Sequence, residues 1–239
     1  MSALTHEEEA RYHRQLIIPE VGFAGQEKLK RARVIVIGAG GLGSPVLMYL
    51  AAAGVGTLGI VDPDEVRTSN LQRQILYNTE DITRPKAEAA AERISLINPL
   101  VTVIAYQVRL GEENASELLR GYDIAVDCTD NFASRYLLSD ATLAAGIPMV
   151  YGAVSQFMGQ VSVFNYAGGP SYRDLYPETT ARAADASPPE QGVIGALPGI
   201  IGSYQACEVI KIITGAGEVM SGRLLQVDGL NLRSEIISF

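Results

Sequence analysis

Two features of the first third of the chain predict a nucleotide site: a glycine-rich stretch, and a carboxylate that follows it. Gly38, Gly40 and Gly43 let the backbone of 38–43 turn tightly and approach a phosphate, whose charge is favoured by the N-terminus of a following helix. Asp62 comes 19 residues after Gly43, where a carboxylate accepts hydrogen bonds from a ribose hydroxyl. The pattern does not distinguish NAD from ATP, and the glycines alone could serve only close packing of a helix on a strand.

A polar segment that follows this carboxylate favours ATP over NAD. The planar guanidinium of Arg73 can bind two phosphate oxygens at once, and the amides of Asn70 and Gln74 can orient others. A hydride-transfer site does not need this set, although such a pentapeptide is also typical of a solvated surface loop. Lys86 follows Pro85 at a predicted helix start. A lysine is unfavourable there for the helix dipole, and it becomes useful if the helix start faces the phosphates.

Acidic residues follow the strand that closes the predicted nucleotide half. Asp127 ends this strand and is predicted to be buried support, and Asp130 and Asn131 come next. Ligands of open α/β sheets bind at the carboxyl ends of strands, and Mg²⁺ prefers one or two carboxylates together with phosphate oxygens and water. We therefore predict that Asp130 binds magnesium. The alternative is that Asp130 only caps the helix that begins at Phe132.

Runs of apolar residues predict the elements that position these groups. Short continuous runs, typical of buried parallel strands, alternate with helical segments over the first two thirds of the chain. In order, we predict strand 33–37, helix 42–53, strand 57–61, helix 85–98, strand 101–106, helix 112–120, strand 122–127, helix 132–145 and strand 148–152. This alternation predicts an α/β fold with a Rossmann-like, doubly wound, mostly parallel sheet.

The last third of the chain has a different pattern. Residues 159–166 alternate as in an antiparallel strand, residues 197–214 predict a mostly apolar helix, and segments 224–227 and 230–238 predict a closing hairpin. Residues 168–191 are rich in Ala, Pro, Ser and Gly without periodicity, which predicts a long loop. Antiparallel strands are therefore expected in the C-terminal third of the same sheet.

Composition and charge limit the classes of partner and the cellular compartment that the sequence predicts. The chain has 239 residues and a net charge of −8, so nucleic acid and anionic membranes are poor candidate partners. The N-terminus has no basic segment before an apolar core, and no signal peptide is expected. The apolar stretch 34–61 is interrupted by glycines and a proline, and is better explained as strand, turn, helix and strand than as a membrane span. Two cysteines, Cys128 and Cys207, favour a reducing cytoplasm.

Together these segments resemble the ThiF/MoeB/HesA family, the bacterial relatives of ubiquitin-activating E1 enzymes. The matching segments run in order from about Arg11 to Gly202, and together they are far more specific than the glycine loop. They are 11–15, 36–43, Asp62 with Asp64, 70–74, Lys86, 127–132, 152–154, 159–161 and 192–195.

The resemblance implies a homodimer that uses ATP and Mg²⁺ to adenylate the C-terminal glycine carboxylate of a ubiquitin-like sulfur carrier protein ending in Gly-Gly. The pathway would be molybdopterin, thiamin or related thio-cofactor synthesis. The implied ATP-binding residues are Gly38, Gly40, Gly41, Gly43, Asp62, Asp64, Asn70, Arg73, Gln74, Lys86, Asp130 and Asn131. The implied catalytic residues are Arg14, Arg73, Lys86 and Asp130.

Within these sets the resemblance implies separate roles. Gly41 and Asp62 would contact adenosine, Asn70, Arg73 and Lys86 would hold the phosphates, and Asp130 would bind magnesium. Arg14 would reach into the active site of the neighbouring subunit as an arginine finger, although its residue type alone suggests only an exposed helix charge.

The implied adenylation domain is single and spans 1–239. It divides into an N-terminal helical arm at 1–30, a nucleotide-binding half at 31–155 and a partner-docking half at 156–239. In the last of these, the loop 168–191 would lie over the partner's tail.

The chain departs from the family pattern at its cysteines. Many members hold a structural Zn²⁺ with two Cys-x-x-Cys pairs, but Ser171 and Asp174 stand where the first pair would fall, so no zinc is predicted. Some members use a cysteine just before segment 192–195, where this chain has none. Structural roles are therefore expected for Cys128 and Cys207, with sulfur coming from an external donor.

Three alternatives stay open at the level of the sequence. A family member could adenylate a peptide or small-molecule carboxylate instead of a carrier protein. An NAD-dependent oxidoreductase would explain the glycine loop and Asp62 but leaves 70–74 and Asp130 without a task. A non-enzymatic scaffold would have lost its activity together with its cysteines, and the intact phosphate-handling set argues against it.

Overall fold

The computed structural model describes residues 4–177 and 192–239, and the strands in these residues form one eight-stranded sheet. Its strands are β1 (Arg33–Ile37), β2 (Thr57–Val61), β3 (Thr102–Tyr106), β4 (Ile124–Asp127), β5 (Met149–Ser155), β6 (Met158–Phe164), β7 (Arg223–Asp228) and β8 (Arg233–Ser238). Their spatial order is β3-β2-β1-β4-β5-β6-β7-β8. The first five are parallel and the last three are added antiparallel, which confirms the predicted fold class.

The helices of the described residues cover both faces of the sheet. They are α1 (His6–Leu16), α2 (Gly22–Arg31), α3 (Gly43–Ala53), α4 (Lys86–Ile97), α5 (Ala115–Leu119), α6 (Phe132–Ala145), α7 (Tyr172–Leu175) and α8 (Ala196–Thr214). None of these helices is long and apolar enough to cross a membrane.

The central strand β1 divides its side chains between two hydrophobic cores. Val34 and Val36 pack on one face, in the core that also includes residues of α3, α4 and α8. Ile35 and Ile37 pack on the other face, with residues of α5, α6 and α7. Successive strand residues point to opposite faces, so a strand between two layers of helices is apolar at its buried positions, which in β1 are all but Arg33.

The strand order reverses beside β1. The chain places β2 and β3 on one side of β1 and then crosses over to place β4 and β5 on the other. In open α/β sheets, ligands bind in the crevice outside the carboxyl ends of the strands at such a switch point. The fold therefore predicts a ligand site at the carboxyl ends of β1 and β4.

Several helix ends follow from local sequence chemistry. The Thr5 side chain accepts a hydrogen bond from the backbone of Glu8, and the Glu8 carboxylate accepts one from the backbone of Thr5, at the start of α1. Helix α3 ends at Gly54, whose φ of 84° lies in the left-handed region. Pro85 directly precedes α4, as its preference for helix starts predicts.

Two predicted elements differ in the structure. The predicted helix 112–120 is confined to α5, because Asn114 accepts a hydrogen bond from the backbone of Gly111 and forms a turn first. The predicted loop 168–191 contains α7, which is capped by Ser171 and anchored by the fully buried Tyr172. The remainder of that predicted loop, 178–191, lies outside the described residues.

Candidate active site

A cleft of about 880 Å³ lies beyond the carboxyl ends of β1 and β4, at the switch point. Ten of the twelve predicted ATP-binding residues line it. They are Gly38, Gly40, Gly41, Asp62, Asp64, Arg73, Gln74, Lys86, Asp130 and Asn131. Gly43 and Asn70 do not line the cleft, and each has a structural task described below.

The glycine loop forms one wall of the cleft, and two of its glycines are required by close approach. Gly38 has a φ of 99°, and a Cβ there would lie 2.6 Å from the carbonyl oxygen of Cys128. A Cβ on Gly43 would lie 2.1 Å from the carbonyl oxygen of Gly38, which explains why Gly43 is needed although it does not face the cleft. Gly40 and Gly41 face the cleft and leave the backbone accessible to a ligand.

Asp62 is held in place by the backbone around it. Oδ2 accepts a hydrogen bond from the backbone of Ala39 at 2.8 Å, and Oδ1 accepts one from the backbone of Asp64 at 2.9 Å. Burial raises the pKa of Asp62, while the positive charge of Lys86 and these two hydrogen bonds oppose that effect. Each carboxylate oxygen has a second lone pair, so both can still accept a hydrogen bond from a ribose hydroxyl.

Lys86 brings a positive charge to the same wall. It is the first residue of α4, it is buried, and its Nζ lies 3.3 Å from Oδ2 of Asp64. The Tyr77 hydroxyl donates to the carbonyl oxygens of Ala39 and Lys86, which ties the glycine loop to the start of α4. The helix start therefore faces the cleft, which is the condition under which Lys86 is useful for binding phosphate.

Within segment 70–74, Arg73 and Gln74 line the cleft, whereas Asn70 stabilises a turn. Asn70 accepts a hydrogen bond from the backbone of Arg67 at 3.1 Å, so its side-chain oxygen stabilises the turn Thr68–Asn70. Arg73 lines the cleft and donates from Nη1 to the carbonyl oxygen of Ser69. Gln74 is buried, lines the cleft, and has an Oε1 with no hydrogen-bond partner in the described residues.

Asp130 and Asn131 line the cleft beyond the end of β4 and have different tasks. Asn131 caps α6, because its Oδ1 accepts a hydrogen bond from the backbone of Ser134 at 2.9 Å. Asp130 is exposed in the cleft, and its Oδ1 accepts from Asn131 at 3.3 Å. A carboxylate that is free of the helix cap fits a magnesium ion, which takes one or two carboxylates and completes its shell with phosphate and water. Asp130 is therefore not the helix cap.

The sequence matches the ThiF family over residues 12–238. The chain belongs to the ThiF family. It is 53% identical over 231 residues to a sulfur carrier protein adenylyltransferase of Thermus thermophilus, a match that covers 95% of this chain and 85% of the relative. It is also 50% identical to the probable adenylyltransferase/sulfurtransferase MoeZ of Mycobacterium tuberculosis and 46% identical to MOCS3 of Mus musculus.

The last two matches concern only part of each relative. The match to MoeZ covers 99% of this chain but 62% of MoeZ, and the match to MOCS3 covers 96% of this chain but 50% of MOCS3. Relatives matched over nearly the whole chain are named adenylyltransferases, and the predicted enzyme class is confirmed: the chain is an adenylyltransferase.

Solved structures support the fold alone. Escherichia coli MccB with ATP superposes with a TM-score of 0.82 at 17% identity, over 98% of this chain and 79% of the other. The protein PaaA superposes with a TM-score of 0.85 at 23% identity, over 100% of this chain and 75% of the other. At these identities the similarity is one of fold.

Several cleft residues of this ThiF-family chain were not predicted. Arg135 of α6 is buried, donates to the carbonyl oxygen of Thr129 at 3.1 Å, and has its Nε 3.7 Å from Oδ2 of the fully buried Asp127. Asp127 also accepts two hydrogen bonds from Thr129, so its predicted role as buried support agrees with the structure. Arg135 comes one helical turn after Asn131, and that spacing is the only signal that could have placed it at the cleft.

Arg14 does not line the cleft of its own chain. It is an exposed residue of α1, whose neighbouring residue Arg11 donates to the carbonyl oxygen of Ile97 at the far end of α4. Since the start of α4 faces the cleft, α1 packs at the opposite end of that helix. A role for Arg14 in the chemistry therefore requires a second copy of the chain.

Neither cysteine is placed for chemistry in this cleft. Cys128 lines it but is buried, and burial raises the pKa of its thiol well above the ordinary value. Cys207 lies outside it, on α8. Ser171, which stands with Asp174 at the position of the family's first cysteine pair, donates a hydrogen bond to the Asp174 carboxylate at the start of α7. Within the described residues, no group of three or more His, Cys, Asp and Glu side chains could hold a metal ion.

Proposed function

We propose that this adenylyltransferase transfers AMP from ATP to the C-terminal glycine carboxylate of a ubiquitin-like sulfur carrier protein ending in Gly-Gly and releases pyrophosphate. One observation carries the proposal: Arg73, Lys86, Asp62 and Asp130 meet in a single cleft of an otherwise acidic chain. Positive groups for phosphate, a carboxylate for ribose and a carboxylate for magnesium are the groups that ATP requires.

The nucleotide would be bound along the wall made by the glycine loop and α4. Gly40 and Gly41 expose backbone to the nucleotide, and Asp62 accepts hydrogen bonds from the ribose. Asp64 pairs with Lys86 at the wall of the cleft, and the lysine can exchange this partner for a phosphate oxygen because Asp64 is half-exposed to water. Asn70 supports the turn that presents Arg73 and Gln74 to the phosphates.

The reaction is a displacement at the α-phosphorus. A carboxylate oxygen of the partner's last glycine attacks this phosphorus, the bond to the bridging oxygen of the β-phosphate breaks, and pyrophosphate leaves with the electron pair. Negative charge grows on phosphate oxygens near Arg73 and Lys86, whose fixed positions lower the barrier. Magnesium bound at Asp130 would neutralise part of this charge. The reaction needs no side-chain nucleophile because the substrate supplies it.

The partner's body would dock on the antiparallel part of the sheet. Strand β8 is exposed along its whole length and forms the edge, and Phe157 and Met158 are exposed at the turn into β6. This surface supports the division of one adenylation domain into an arm at 1–30, a nucleotide half at 31–155 and a docking half at 156–239. The predicted placement of segment 168–191 over the partner's tail stays part of this proposal.

A homodimer would complete the site with Arg14. Tyr49 of α3, Ile75, and Ile200 and Tyr204 of α8 form an exposed apolar surface around a shallow groove away from the cleft. Contiguous exposed apolar surface is typical of protein interfaces. A charged substitution there, Ile200→Asp, is expected to give a monomer by analytical ultracentrifugation, and a dimer of unchanged affinity would reject this surface.

Sulfur would be delivered by a separate donor. The cleft offers only the buried Cys128, whose raised thiol pKa disfavours the reactive thiolate. Both cysteines are free, which suits the reducing cytoplasm that we propose as the compartment.

The test is ATP–pyrophosphate exchange with and without a recombinant sulfur carrier protein. We expect exchange that depends on the carrier and is lost in Arg73→Ala and Asp130→Ala. Retained exchange in these variants would reject the site assignment. Exchange supported by a peptide or a small acid, and not by a carrier, would favour the alternative substrate class.

A further inference from the structure

A row of polar residues crosses the antiparallel part of the sheet and runs out of the cleft. The strand registers pair Ala153 of β5 with Gln160, Gln160 with Gln226, and Gln226 with Glu235 of the edge strand β8. Side chains of directly paired residues lie on the same face of a sheet. Gln160 and Gln226 both line the cleft, whereas Glu235 lies beyond it. The two amides therefore stand where the cleft opens towards the edge of the sheet.

Two buried or half-buried tyrosines fix the orientation of the Gln160 amide. The hydroxyl of Tyr151 donates to Oε1 of Gln160 at 3.2 Å, and the hydroxyl of Tyr176 donates to the same atom at 2.7 Å. Both rings also pack against Tyr172, with centroids 5.4 Å and 5.1 Å away. The acceptor side of the amide is thus occupied by groups that cannot easily move.

The donor side of the same amide has no partner in residues 4–177 and 192–239. Among the described residues, no acceptor is hydrogen-bonded to Nε2 of Gln160, and the Gln226 side chain makes no hydrogen bond. An amide NH₂ whose oxygen already accepts hydrogen bonds keeps its two N–H groups available to donate to a ligand in the cleft. The cleft therefore presents one oriented donor, on Gln160, beside the amide of its cross-strand partner Gln226.

The chemistry of these donors matches the backbone of an extended peptide. Peptide carbonyl oxygens are acceptors that recur along the chain, and two paired strand positions can contact the chain as it crosses the sheet. A tail of glycines has no side chains to recognise, so the enzyme must recognise it through hydrogen bonds to its backbone. Neutral donors suit this task because they attract carbonyl oxygens without binding the free pyrophosphate as a cation would.

We propose that Gln160 and Gln226 form a subsite for the backbone of the partner's C-terminal tail, in which the Nε2 group of Gln160 donates to a tail carbonyl oxygen. This inference rests on the proposed function, and it names how the same site holds the tail while the terminal carboxylate faces the α-phosphate.

The experiment compares Gln160→Glu, Gln160→Leu and Gln107→Glu with the wild type in carrier-dependent ATP–pyrophosphate exchange. Glutamate keeps the acceptor for both tyrosines and removes the donor, and leucine removes both without adding charge. Gln107 is exposed and outside the cleft, so Gln107→Glu is a matched control for the charge. ATP binding is measured separately by calorimetry, and folding by thermal unfolding.

We expect both Gln160 variants to raise the KM for the carrier by about tenfold or more, because a carbonyl loses its donor in a confined cleft. The Kd for ATP and the KM of Gln107→Glu should stay within twofold of wild type. An unchanged carrier KM in the folded variants would overturn the subsite. A rise in Gln160→Glu alone would also overturn it, since the introduced charge would then be the cause. Wild type without carrier-dependent exchange would instead reject the proposed function.

Discussion

Replacing Lys86 with methionine is expected to weaken ATP binding while leaving the stability of the fold nearly unchanged. Methionine keeps the length and the apolar stem of the side chain while removing the charge. In the folded chain the lysine is 6% exposed, and its Nζ lies 3.3 Å from a carboxylate of Asp64 that is 54% exposed. The pair is therefore screened by water on one side, and its loss should change the free energy of unfolding by about 1 kcal/mol at most.

The expected loss in ATP binding is larger. A hydrogen bond to a charged group contributes about 1.5–3 kcal/mol, which corresponds to a roughly 10- to 150-fold increase in the Kd for ATP. The variant also leaves Asp62 and Asp64 without their nearest positive charge at the phosphate wall, which acts in the same direction. We would measure the Kd by isothermal titration calorimetry and the stability by urea unfolding.

Lys30→Met is the matched control for this prediction. Lys30 also pairs with a carboxylate, that of Glu8 at 2.8 Å, but it lies outside the cleft. Its replacement removes a lysine and its ion pair with Glu8 without changing a residue of the cleft, so the Kd for ATP should be unchanged. Equal effects of the two variants on ATP binding, or no effect of Lys86→Met, would refute the assignment of Lys86 to the phosphates.

Three further predictions concern other parts of the site. Asp130→Asn should leave thermal stability unchanged, because the side chain is exposed, while raising the Mg²⁺ concentration needed for half-maximal exchange by about tenfold; an unchanged requirement in a magnesium titration would contradict the metal assignment. Gly43→Ala should cost about 1–3 kcal/mol in urea unfolding, since its Cβ would lie 2.1 Å from the Gly38 carbonyl oxygen, and wild-type stability would contradict the packing argument. Burial raises the pKa of Asp62 above 3.8, so the folded state binds this proton more tightly than the unfolded state does, and the free energy of unfolding of the wild type falls as the pH rises through the folded pKa. Asp62→Asn should lose this contribution when unfolding is measured across pH. Parallel pH profiles of the variant and the wild type would contradict the argument.

The nucleotide wall was predictable because its chemistry is local in sequence. The glycine loop follows the end of β1, Asp62 follows the end of β2, and Lys86 begins α4. In a doubly wound sheet these strand ends and helix starts converge at the switch point. The capping pattern at Thr5 and the terminating Gly54 were predictable for the same reason, since both act within one turn of a helix.

The outer end of the cleft was not predictable, because it depends on register. Gln160 and Gln226 are far apart in sequence and meet only through the antiparallel pairing of β6 with β7. The tyrosines that orient Gln160 come from β5 and from the segment after α7, a one-turn helix too short to give a periodic signal. Segment 159–161 matched the family pattern, but only the structure gives its glutamine a position.

The most direct test of the central claim is the intact mass of the carrier protein after incubation with this chain, ATP and Mg²⁺. The carboxylate of the last glycine is the proposed nucleophile, so a carrier with a free C-terminus should gain the mass of one AMP, and the same carrier with an amidated C-terminus should gain nothing. A carrier that gains no AMP, or an amidated carrier that is labelled equally, would contradict the account.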